Sequence, residues 1–248
     1  MIKVLINGCN GKMGQEVLNA INNNENFEVL NGVDIKENHD YIFPVYTNTD
    51  EIKEKPDVII DFSVPVATMK ILEYAKENNV PIVIATTGLS EEEKQKIKEY
   101  SKTIPIFQSA NMSYDINLMK KVVAEVAKNL NQTDIEIVET HHNRKIDSPS
   151  GTALLLADSI NNALDNKKDY NFNRFQNREK RKKNEIGFSS IRGGNIVGEH
   201  TVIFFGENES FEITHKAYSR GVFAEGALKG AEYIVGKENG YYSMDDII

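Results

Sequence analysis

The chain has one cysteine, no long apolar run and no excess of positive charge. Because Cys9 is alone, an internal disulfide is excluded, and we expect a protein of the reducing cytoplasm. No apolar run approaches the roughly 18–20 residues that a membrane-spanning helix needs. The opening run Met1–Ile6 leads into a glycine turn rather than a cleavage site, so we expect no secretory signal. The net charge of −8 argues against binding to nucleic acid or to an anionic membrane surface.

The remaining composition is that of an ordinary globular protein. The chain has 248 residues, of which 40% are hydrophobic and 27% are charged. That length suffices for one large or two modest domains with hydrophobic cores. The sequence has no internal repeat and no low-complexity segment. Its domain organisation is therefore indicated by the order of its predicted strands and helices.

A glycine-rich turn follows the first predicted strand. Ile2–Ile6 is a short apolar run, and Gln15–Ile21 has the apolar spacing of a helix. Between them lies G-x-x-G-x-x-G, a variant of the dinucleotide-binding turn. Gly8 would permit the tight turn, Gly11 would let the backbone approach a pyrophosphate, and Gly14 would allow close packing of helix on strand. A glycine turn that binds no ligand is the alternative.

An acidic residue ends the second predicted strand, Phe27–Asp34. Asp34 stands twenty residues after Gly14, where an acid can hold the ribose hydroxyls of a dinucleotide. A strand-end aspartate that only begins a turn is the alternative. Taken together, the turn and the acid predict a dinucleotide site.

The alternation of strands and helices continues through the first part of the chain. The further strand candidates are Asp57–Asp61, Pro81–Ala85 and Pro105–Ser109, with helix candidates at Ala67–Glu77 and after Ser90. Such an alternation predicts a parallel, doubly wound sheet, whose ligands bind beyond the carboxyl ends of its strands. The residues that follow these strands are small or polar: Ser63, Thr86, Thr87, Gly88, Ser109 and Asn111. We therefore expect a cofactor cleft at this edge.

The stretch Glu139–Ala153 concentrates groups that bind anions and transfer protons. His141, His142 and Lys145 follow the alternating strand candidate that begins at Asp134. Ser150 is placed to cap the next predicted helix, whose first backbone N–H groups suit a carboxylate. Two unrelated surface histidines in a polar loop are the alternative.

The pattern changes in the second half of the chain. A long amphipathic helix is predicted at Met112–Leu130, and the basic stretch Asn171–Lys183 is interpreted as a mainly solvated loop. Consecutive strands without helices then predict an antiparallel or mixed sheet in a second domain: Ile186–Ile191, Thr201–Phe205 and Ser210–Ala217. The helix Val222–Ile234 is expected to return the chain to the first domain.

On these motifs the chain resembles the 4-hydroxy-tetrahydrodipicolinate reductases, also called dihydrodipicolinate reductases. The resemblance covers nearly the whole chain and is most specific in the block His-His-x-x-Lys-x-Asp-x-Pro-Ser-Gly-Thr-Ala. The other matching segments are Gly8–Gly14, Asp61–Ser63, Ala85–Gly88, Ser109–Ser113, Ser190–Gly194, Gly198–Thr201, His215–Arg220 and Phe223–Ala227. The resemblance implies the NAD(P)H-dependent reduction of 4-hydroxy-tetrahydrodipicolinate to tetrahydrodipicolinate with loss of water, in lysine and diaminopimelate biosynthesis.

The resemblance also implies a fold, an assembly and a domain division. Residues 1–110 and 219–248 would form an N-terminal Rossmann-type α/β domain that binds NADH or NADPH through its doubly wound parallel sheet. Residues 111–218 would form a central α+β domain with a mixed or antiparallel sheet for substrate binding and oligomerisation, in a homotetramer.

Residue roles follow from the same resemblance. His141 is implied as proton donor or acceptor and Lys145 as proton donor. His142, Ser150, Gly151 and Thr152 are implied to bind the dicarboxylate substrate. Cofactor contacts are implied for Gly8, Cys9, Asn10, Gly11, Lys12, Met13, Asp34, Ala85, Thr86, Thr87, Ser109, Ala110, Asn111 and Met112. No metal is expected.

One position departs from the family pattern. Asp115 stands where the family usually has glycine. If that position has a positive φ, aspartate is strained there, although it tolerates such a conformation better than most residues. We expect altered cofactor affinity at most.

Three other functions are alternatives to a reductase. A semialdehyde dehydrogenase needs a cysteine nucleophile, and the only thiol, Cys9, lies within the glycine turn. A dinucleotide-sensing protein without catalysis would keep the glycine turn but would not need His141 and Lys145. A metal enzyme has five histidines available, yet no pair has ligand spacing on a helix.

Overall fold

The computed structural model describes residues 1–177 and 179–248, which form two compact units. Residues 1–114 and 220–248 make up the first unit, and residues 115–219 the second. Within the described residues, none of the helices combines the length and apolar character needed to cross a membrane.

The first unit contains a seven-stranded parallel sheet. Its strands are β1 (Ile2–Asn7), β2 (Phe27–Val33), β3 (Val45–Tyr46), β4 (Val58–Asp61), β5 (Ile82–Ile84), β6 (Pro105–Gln108) and β12 (Gly240–Tyr242). They lie in the order β12-β6-β5-β4-β1-β2-β3, with every neighbouring pair parallel. The order reverses next to β1, as in a doubly wound sheet, which confirms the predicted fold class.

Helices cover both faces of this sheet. They are α1 (Lys12–Asn22), α2 (Pro65–Glu77), α3 (Glu91–Tyr100) and α7 (Gly221–Ile234), with 3₁₀ turns at Thr49–Glu51 and Met244–Asp246. Helices α1 and α7 share one hydrophobic core with alternate strand residues such as Val4 and Ile6, and α2 and α3 share the other with Leu5. Burial on both faces explains why these strands are continuous apolar runs.

Local sequence signals set several helix ends and contacts. Ser90 caps α3 in a capping box, because its hydroxyl accepts from Glu93 N–H and the Glu93 carboxylate accepts from Ser90 N–H. The glycines of α7 allow close packing: a Cβ at Gly226 would lie 1.7 Å from the carbonyl oxygen of Met112. Only a residue without a side chain fits there.

The second unit contains a five-stranded mixed sheet. Its strands are β7 (Asp134–His141), β8 (Asp169–Asn171), β9 (Glu185–Arg192), β10 (Gly198–Phe205) and β11 (Ser210–Ala217), in the order β11-β10-β7-β9-β8. Strands β7, β8 and β9 run parallel, and β10 is antiparallel to β7 and β11. The predicted mixed or antiparallel sheet is thereby confirmed.

The helices of this unit are α4 (Tyr114–Asn129), α5 (Gly151–Ala163) and the short α6 (Arg174–Asn177). Helices α4 and α5 share a core with Ile135 and Ile137 of β7 and with Val202 and Phe204 of β10. Because strand side chains alternate between faces, Glu139, His141 and His200 continue the same face beyond this core. The period of the strands therefore places these polar groups together.

The described residues of the basic stretch are mostly exposed, as the solvated interpretation predicts, but the stretch is not a loop throughout, because it contains α6. Arg174 forms ion pairs with Glu136 and Glu185, and Arg181 pairs with Asp134 at 2.8 Å. These partners lie on neighbouring strands, so the arginines fasten the stretch to the sheet. Arg178, which belongs to the same stretch, lies outside the described residues.

The condition for strain at Asp115, a positive φ, is not met. Asp115 lies in the first turn of α4, and the non-glycine residues described with a positive φ are Asn79, Asp165 and Asn166. An acid in the first turn of a helix interacts favourably with the helix dipole.

Candidate active site

The β1–α1 turn needs its glycines. Gly8 has a φ of +84°, and a Cβ there would lie 2.8 Å from the carbonyl oxygen of Phe62. A Cβ at Gly14 would lie 2.3 Å from the carbonyl oxygen of Gly8. Gly11 is the N-cap of α1, with no side-chain cap hydrogen bond. The first N–H groups of α1 are thus left for a ligand, and such a helix start suits a phosphate.

Asp34 joins this turn to the end of β2. Its Oδ2 accepts from the backbone N–H of Asn10 at 2.8 Å, and its Oδ1 accepts from that of Ile35 at 2.7 Å. A carboxylate has about four lone-pair sites, so capacity remains for two ribose hydroxyls. Lys12 in the glycine turn and Lys36, two residues after Asp34, are exposed positive charges on these two segments.

Cys9 is fully buried, and burial together with the Asp34 charge raises the pKa of its thiol to about 12. Its sulfur packs so closely on β2 that a Cβ at Gly32 would lie 2.6 Å from it. The thiol is therefore a core group, unsuited to nucleophilic catalysis. Any cofactor contact of Cys9 is restricted to its backbone.

A buried carboxylate organises the carboxyl edge of the parallel sheet. Asp61 accepts hydrogen bonds from Asn7 Nδ2 at 2.8 Å, Thr68 Oγ1 at 2.6 Å and Thr86 Oγ1 at 2.9 Å. Burial raises the pKa of Asp61 despite these bonds. The Thr86 hydroxyl also accepts from Ser63 N–H at 3.1 Å, so it ties the segment after β4 to the segment after β5.

The other predicted cofactor residues follow β5 and β6 at the same edge. Ser109 Oγ donates to the carbonyl oxygen of Asn111 at 2.9 Å, and Asn111 Oδ1 accepts from Ser113 N–H at 2.8 Å. Thr87 and Ala110 are exposed, Ala85 is half-buried and Met112 is buried. These contacts order the segment after β6 without a ligand.

A second polar cluster lies at the end of β7 in the other unit. Glu139 is 1% exposed, and its Oε2 lies 2.5 Å from Nδ1 of the buried His141. Arg192, at the end of β9, donates to both Glu139 oxygens at 2.7 Å. The carboxylate also accepts from Ser150 N–H at 3.2 Å, which ties the strand end to the start of α5.

Ser150 caps α5 as predicted, accepting from Ala153 N–H at 3.1 Å. Its hydroxyl also lies 2.9 Å from Nε2 of His200, whose ring packs edge-on against that of His141. Burial and the neighbouring His141 lower the pKa of His200 to about 3, so this histidine is neutral. Gly151 and Thr152 form the first turn of α5, and a Cβ at Gly151 would meet open space.

Lys145 lies in the loop between β7 and α5. Its Nζ forms an ion pair with Asp147 Oδ1 at 2.7 Å, and its backbone N–H donates to the carbonyl oxygen of His142. The His142 N–H donates to the carbonyl oxygen of Ile196 at 2.8 Å. Burial is the main cause that lowers the pKa of His141, and the positive charge of Lys145 adds to it, so the two groups lie within electrostatic reach of each other.

Sequence reasoning assigned no role to Glu139, Arg192, His200 or Asp61. Glu139 could have been found, because it lies two residues before His141 on a strand and therefore shares its face. Arg192 and His200 lie in segments that match the family, but nothing local indicates their partners, since pairing between distant strands brings them to His141.

A glycine turn and an acid on a parallel sheet, with a histidine, carboxylate and lysine cluster in a second unit, are features of an NAD(P)-dependent oxidoreductase. The family model described as dihydrodipicolinate reductase, N-terminus, matches residues 2–112, and that described as dihydrodipicolinate reductase, C-terminus, matches residues 115–248. The chain belongs to the dihydrodipicolinate reductase family.

Individual relatives agree with this assignment. The chain is 52% identical over 248 residues to a 4-hydroxy-tetrahydrodipicolinate reductase of Caldanaerobacter subterraneus subsp. tengcongensis, covering 100% of this chain and 98% of the relative. It is 48% identical over 250 residues to that of Clostridium novyi, with the same coverage. A dipicolinate-bound dihydrodipicolinate reductase from Paenisporosarcina sp. TG-14 has a similar structure, with a TM-score of 0.83, 28% identity and full coverage of both chains.

Proposed function

We propose that this protein reduces 4-hydroxy-tetrahydrodipicolinate to tetrahydrodipicolinate, with loss of water, in lysine and diaminopimelate biosynthesis. The observation that carries the proposal is the cluster of His141, Lys145 and the capped start of α5, in a chain that also has a dinucleotide turn. A protein that only senses a dinucleotide has no need of that cluster.

Substrate binding is assigned to the start of α5. One carboxylate of the dicarboxylate substrate would accept hydrogen bonds from the backbone N–H groups of Gly151 and Thr152, where the helix dipole favours negative charge. Lys145 and His142 would contact the substrate from the preceding loop. A dicarboxylate ligand is known for the Paenisporosarcina relative, which is dipicolinate-bound.

Proton transfer is assigned to Lys145 and His141. Reduction requires one hydride and one proton, and the dihydronicotinamide cofactor supplies the hydride when it is bound. The Lys145 ammonium donates the proton to the substrate. Burial, more than any other influence, lowers the pKa of His141, so its imidazole is neutral at pH 7 and can accept a proton.

The residues of the first unit fit a dinucleotide. The turn is so closely packed that side chains at Gly8 and Gly14 would collide with backbone atoms, and Asp34 keeps lone pairs beyond its two backbone bonds. We assign the pyrophosphate to the turn from Gly8 to Met13 and the adenosine ribose to Asp34. Both NADH and NADPH would serve, with a modest preference for NADH.

We also propose a homotetramer built on the exposed face of the mixed sheet. The opposite face is covered by α4 and α5, whereas Ile191 and Phe205 on this face are 51% and 42% exposed. Val138 and Ile203 lie between them and are half-buried. A second copy of the chain would cover this apolar strip, and light scattering of the purified protein measures the assembly.

A cytoplasmic location is proposed on the cysteine content. The one cysteine is a free thiol, which fits a reducing compartment. Fractionation of cells that express the tagged protein tests this location.

The activity is tested by following NADH consumption with freshly made 4-hydroxy-tetrahydrodipicolinate. We expect turnover in the wild type and its loss in the His141→Gln and Lys145→Ala variants. NADH binding without any turnover would contradict the proposal and favour the dinucleotide-sensing protein.

A further inference from the structure

Glu139 is the centre of a buried hydrogen-bond cluster. The proposed function assigns no role to this carboxylate. Its two oxygens accept from Arg192, Ser150 N–H and the His141 ring. The contacts come from β7, β9 and α5. A carboxylate held from three elements has a fixed position, and so does the ring bonded to it.

The charge of Glu139 determines which nitrogen of His141 carries a proton. Burial alone would raise the pKa of Glu139, but hydrogen bonds from Arg192, Ser190 and His141 outweigh it and hold the pKa at about 2. The carboxylate is thus an acceptor only at every pH of interest. At a separation of 2.5 Å, the Nδ1 of His141 must donate, and the lone pair of the neutral ring is then on Nε2.

The chain leaves room beside that second nitrogen. Gly198 opens β10 next to the ring, and a Cβ there would lie 3.1 Å from Nε2 of His141. A contact of 3.1 Å is closer than ordinary van der Waals packing, so the ring or the strand would have to move. Glycine at this position keeps Nε2 accessible to a proton donor.

Arg192 counters the negative charge that Glu139 places beside His141. A carboxylate alone would favour the imidazolium form, as in other buried histidine–carboxylate pairs. Here the bidentate guanidinium offsets that carboxylate, and it is itself held by the carbonyl oxygen of Asp147 at 2.7 Å. The titratable and charged groups around His141 are Glu139, Arg192, Lys145 and the neutral His200.

We propose that Glu139 and Arg192 form a positioning pair for His141. The carboxylate fixes the ring and its Nδ1–H tautomer, while the guanidinium offsets part of the carboxylate charge and so assists burial in keeping the imidazole uncharged, with Nε2 as its acceptor. The catalytic consequence rests on the proposed function, in which His141 accepts a proton. The tautomer and the charge of the ring are properties of the free protein and are measured without substrate.

The test is nitrogen-15 NMR of the histidine rings in the full-length protein, with His141→Gln used to assign the signals. We expect the wild type to show the Nδ1–H tautomer of neutral His141. In Arg192→Met the carboxylate is no longer offset, so the pKa of His141 should rise by about one unit or more. In Glu139→Gln the tautomer preference should weaken, and only positive neighbours remain, so the pKa should fall.

Arg181→Met is the matched control. Arg181 is 18% exposed, against 20% for Arg192, and also forms ion pairs with carboxylates on the mixed sheet. It contacts Asp134 and Glu136 rather than Glu139, so its removal should leave the titration of His141 unchanged. A shift equal to that of Arg192→Met would overturn the proposal, because it would show a general effect of net charge.

The pH profile of kcat/KM provides the kinetic readout. In Arg192→Met the limb assigned to His141 should move to higher pH by the shift seen in the NMR titration, with the KM for NADH unchanged. If Arg192→Met only reduced the amount of folded protein, the maximum of kcat/KM would fall and the limb of the pH profile would stay at the same pH. An inactive wild type would contradict the proposed function, while the NMR titration would still decide the positioning pair.

Single variants can leave a buried charge without its partner and fail to fold. The double variant Glu139→Gln with Arg192→Met removes both charges, so it leaves no unpaired buried charge that would prevent folding. It should show a weakened Nδ1–H preference, as in Glu139→Gln, and a preference as strong as in the wild type would show that the ring does not depend on the Glu139 carboxylate. A wild-type ring in the Nε2–H tautomer would equally refute the pair.

Discussion

The Lys145 ammonium group lies 2.7 Å from the Asp147 carboxylate, and its side chain is 21% exposed. Truncation to alanine removes a proton source and a substrate charge together. We expect kcat/KM to fall by about 10²–10⁴-fold, the usual effect of losing an acid–base group. NADH affinity, measured by fluorescence titration, should not change, because the lysine belongs to the unit without the glycine turn.

The control for this variant is Lys167→Ala. Lys167 also pairs with an aspartate, Asp165, at 2.9 Å in the same unit, but its side chain is 74% exposed. It should retain wild-type turnover. Near-complete activity in Lys145→Ala would remove that lysine from the mechanism.

Substitution of Gly151 tests the assignment of the substrate carboxylate to the start of α5. Because a Cβ there meets open space, Gly151→Val should fold, which circular dichroism can verify. Its side chain would stand where the substrate carboxylate approaches the start of α5. We expect a strong rise in the KM for substrate, a smaller one for Gly151→Ala, and no change in the KM for NADH. A substrate complex with the carboxylate beyond hydrogen-bond distance of Gly151 and Thr152 would disprove the assignment.

At the scale of elements, the end of β2 and the β1–α1 turn together set the cofactor preference. Asp34 is fixed by the N–H groups of Asn10 and Ile35, so its carboxylate stays in place to repel a 2′-phosphate. Lysines at positions 12 and 36 compensate only in part, since a lysine lacks the bidentate fork of arginine. We predict a preference for NADH of about three- to tenfold in kcat/KM, roughly 0.6–1.4 kcal/mol.

Measuring kcat/KM for both cofactors at fixed ionic strength decides this prediction. Asp34→Ser should reduce the preference, whereas Asp40→Ser, an exposed acid further along the same loop, should preserve it. A clear preference for NADPH in the wild type would mean that the lysines outweigh Asp34.

At the scale of the whole molecule, buried titrating groups set the pH dependence of stability. His200 has its pKa lowered by burial from 6.5 to about 3, so between these values the unfolded chain binds a proton that the folded chain does not. The contribution of His200 to the free energy of unfolding is therefore lost as the pH drops from 6.5 toward 3, whereas Asp61, whose pKa burial raises, contributes in the opposite direction. Glu139, with its pKa lowered from 4.5 to about 2, adds a further loss between those values.

Thermal unfolding measured from pH 7 down to about 4.5, and compared between the wild type and a His200 variant, isolates the contribution of this histidine. His200→Gln can keep a hydrogen bond to Ser150 but cannot titrate, so its Tm should depend less steeply on pH. His39→Gln is the control, because that side chain is 89% exposed. Equal slopes in the wild type and His200→Gln would show that His200 does not contribute.

The sequence by itself determined the local structure around both sites. The apolar periodicity predicted the main strands and helices. The glycine spacing predicted the tight turn, whose backbone leaves no room for a side chain at Gly8 or Gly14. The Ser150 cap was also predictable, because it depends on residues three apart. Short strands such as β3 and β12 were missed, since two or three residues carry too little periodicity to be recognised.

Only the tertiary structure decided what surrounds His141. Arg192 lies 53 residues from Glu139 in the chain, and His200 lies 50 from Ser150. They meet because β7 pairs parallel to β9 and antiparallel to β10 in fixed registers. Register depends on how distant strands share one buried face, and a slip of one residue would turn each side chain to the other face. No local pattern carries that information, so the charge and tautomer of the histidine are properties of the assembled sheet.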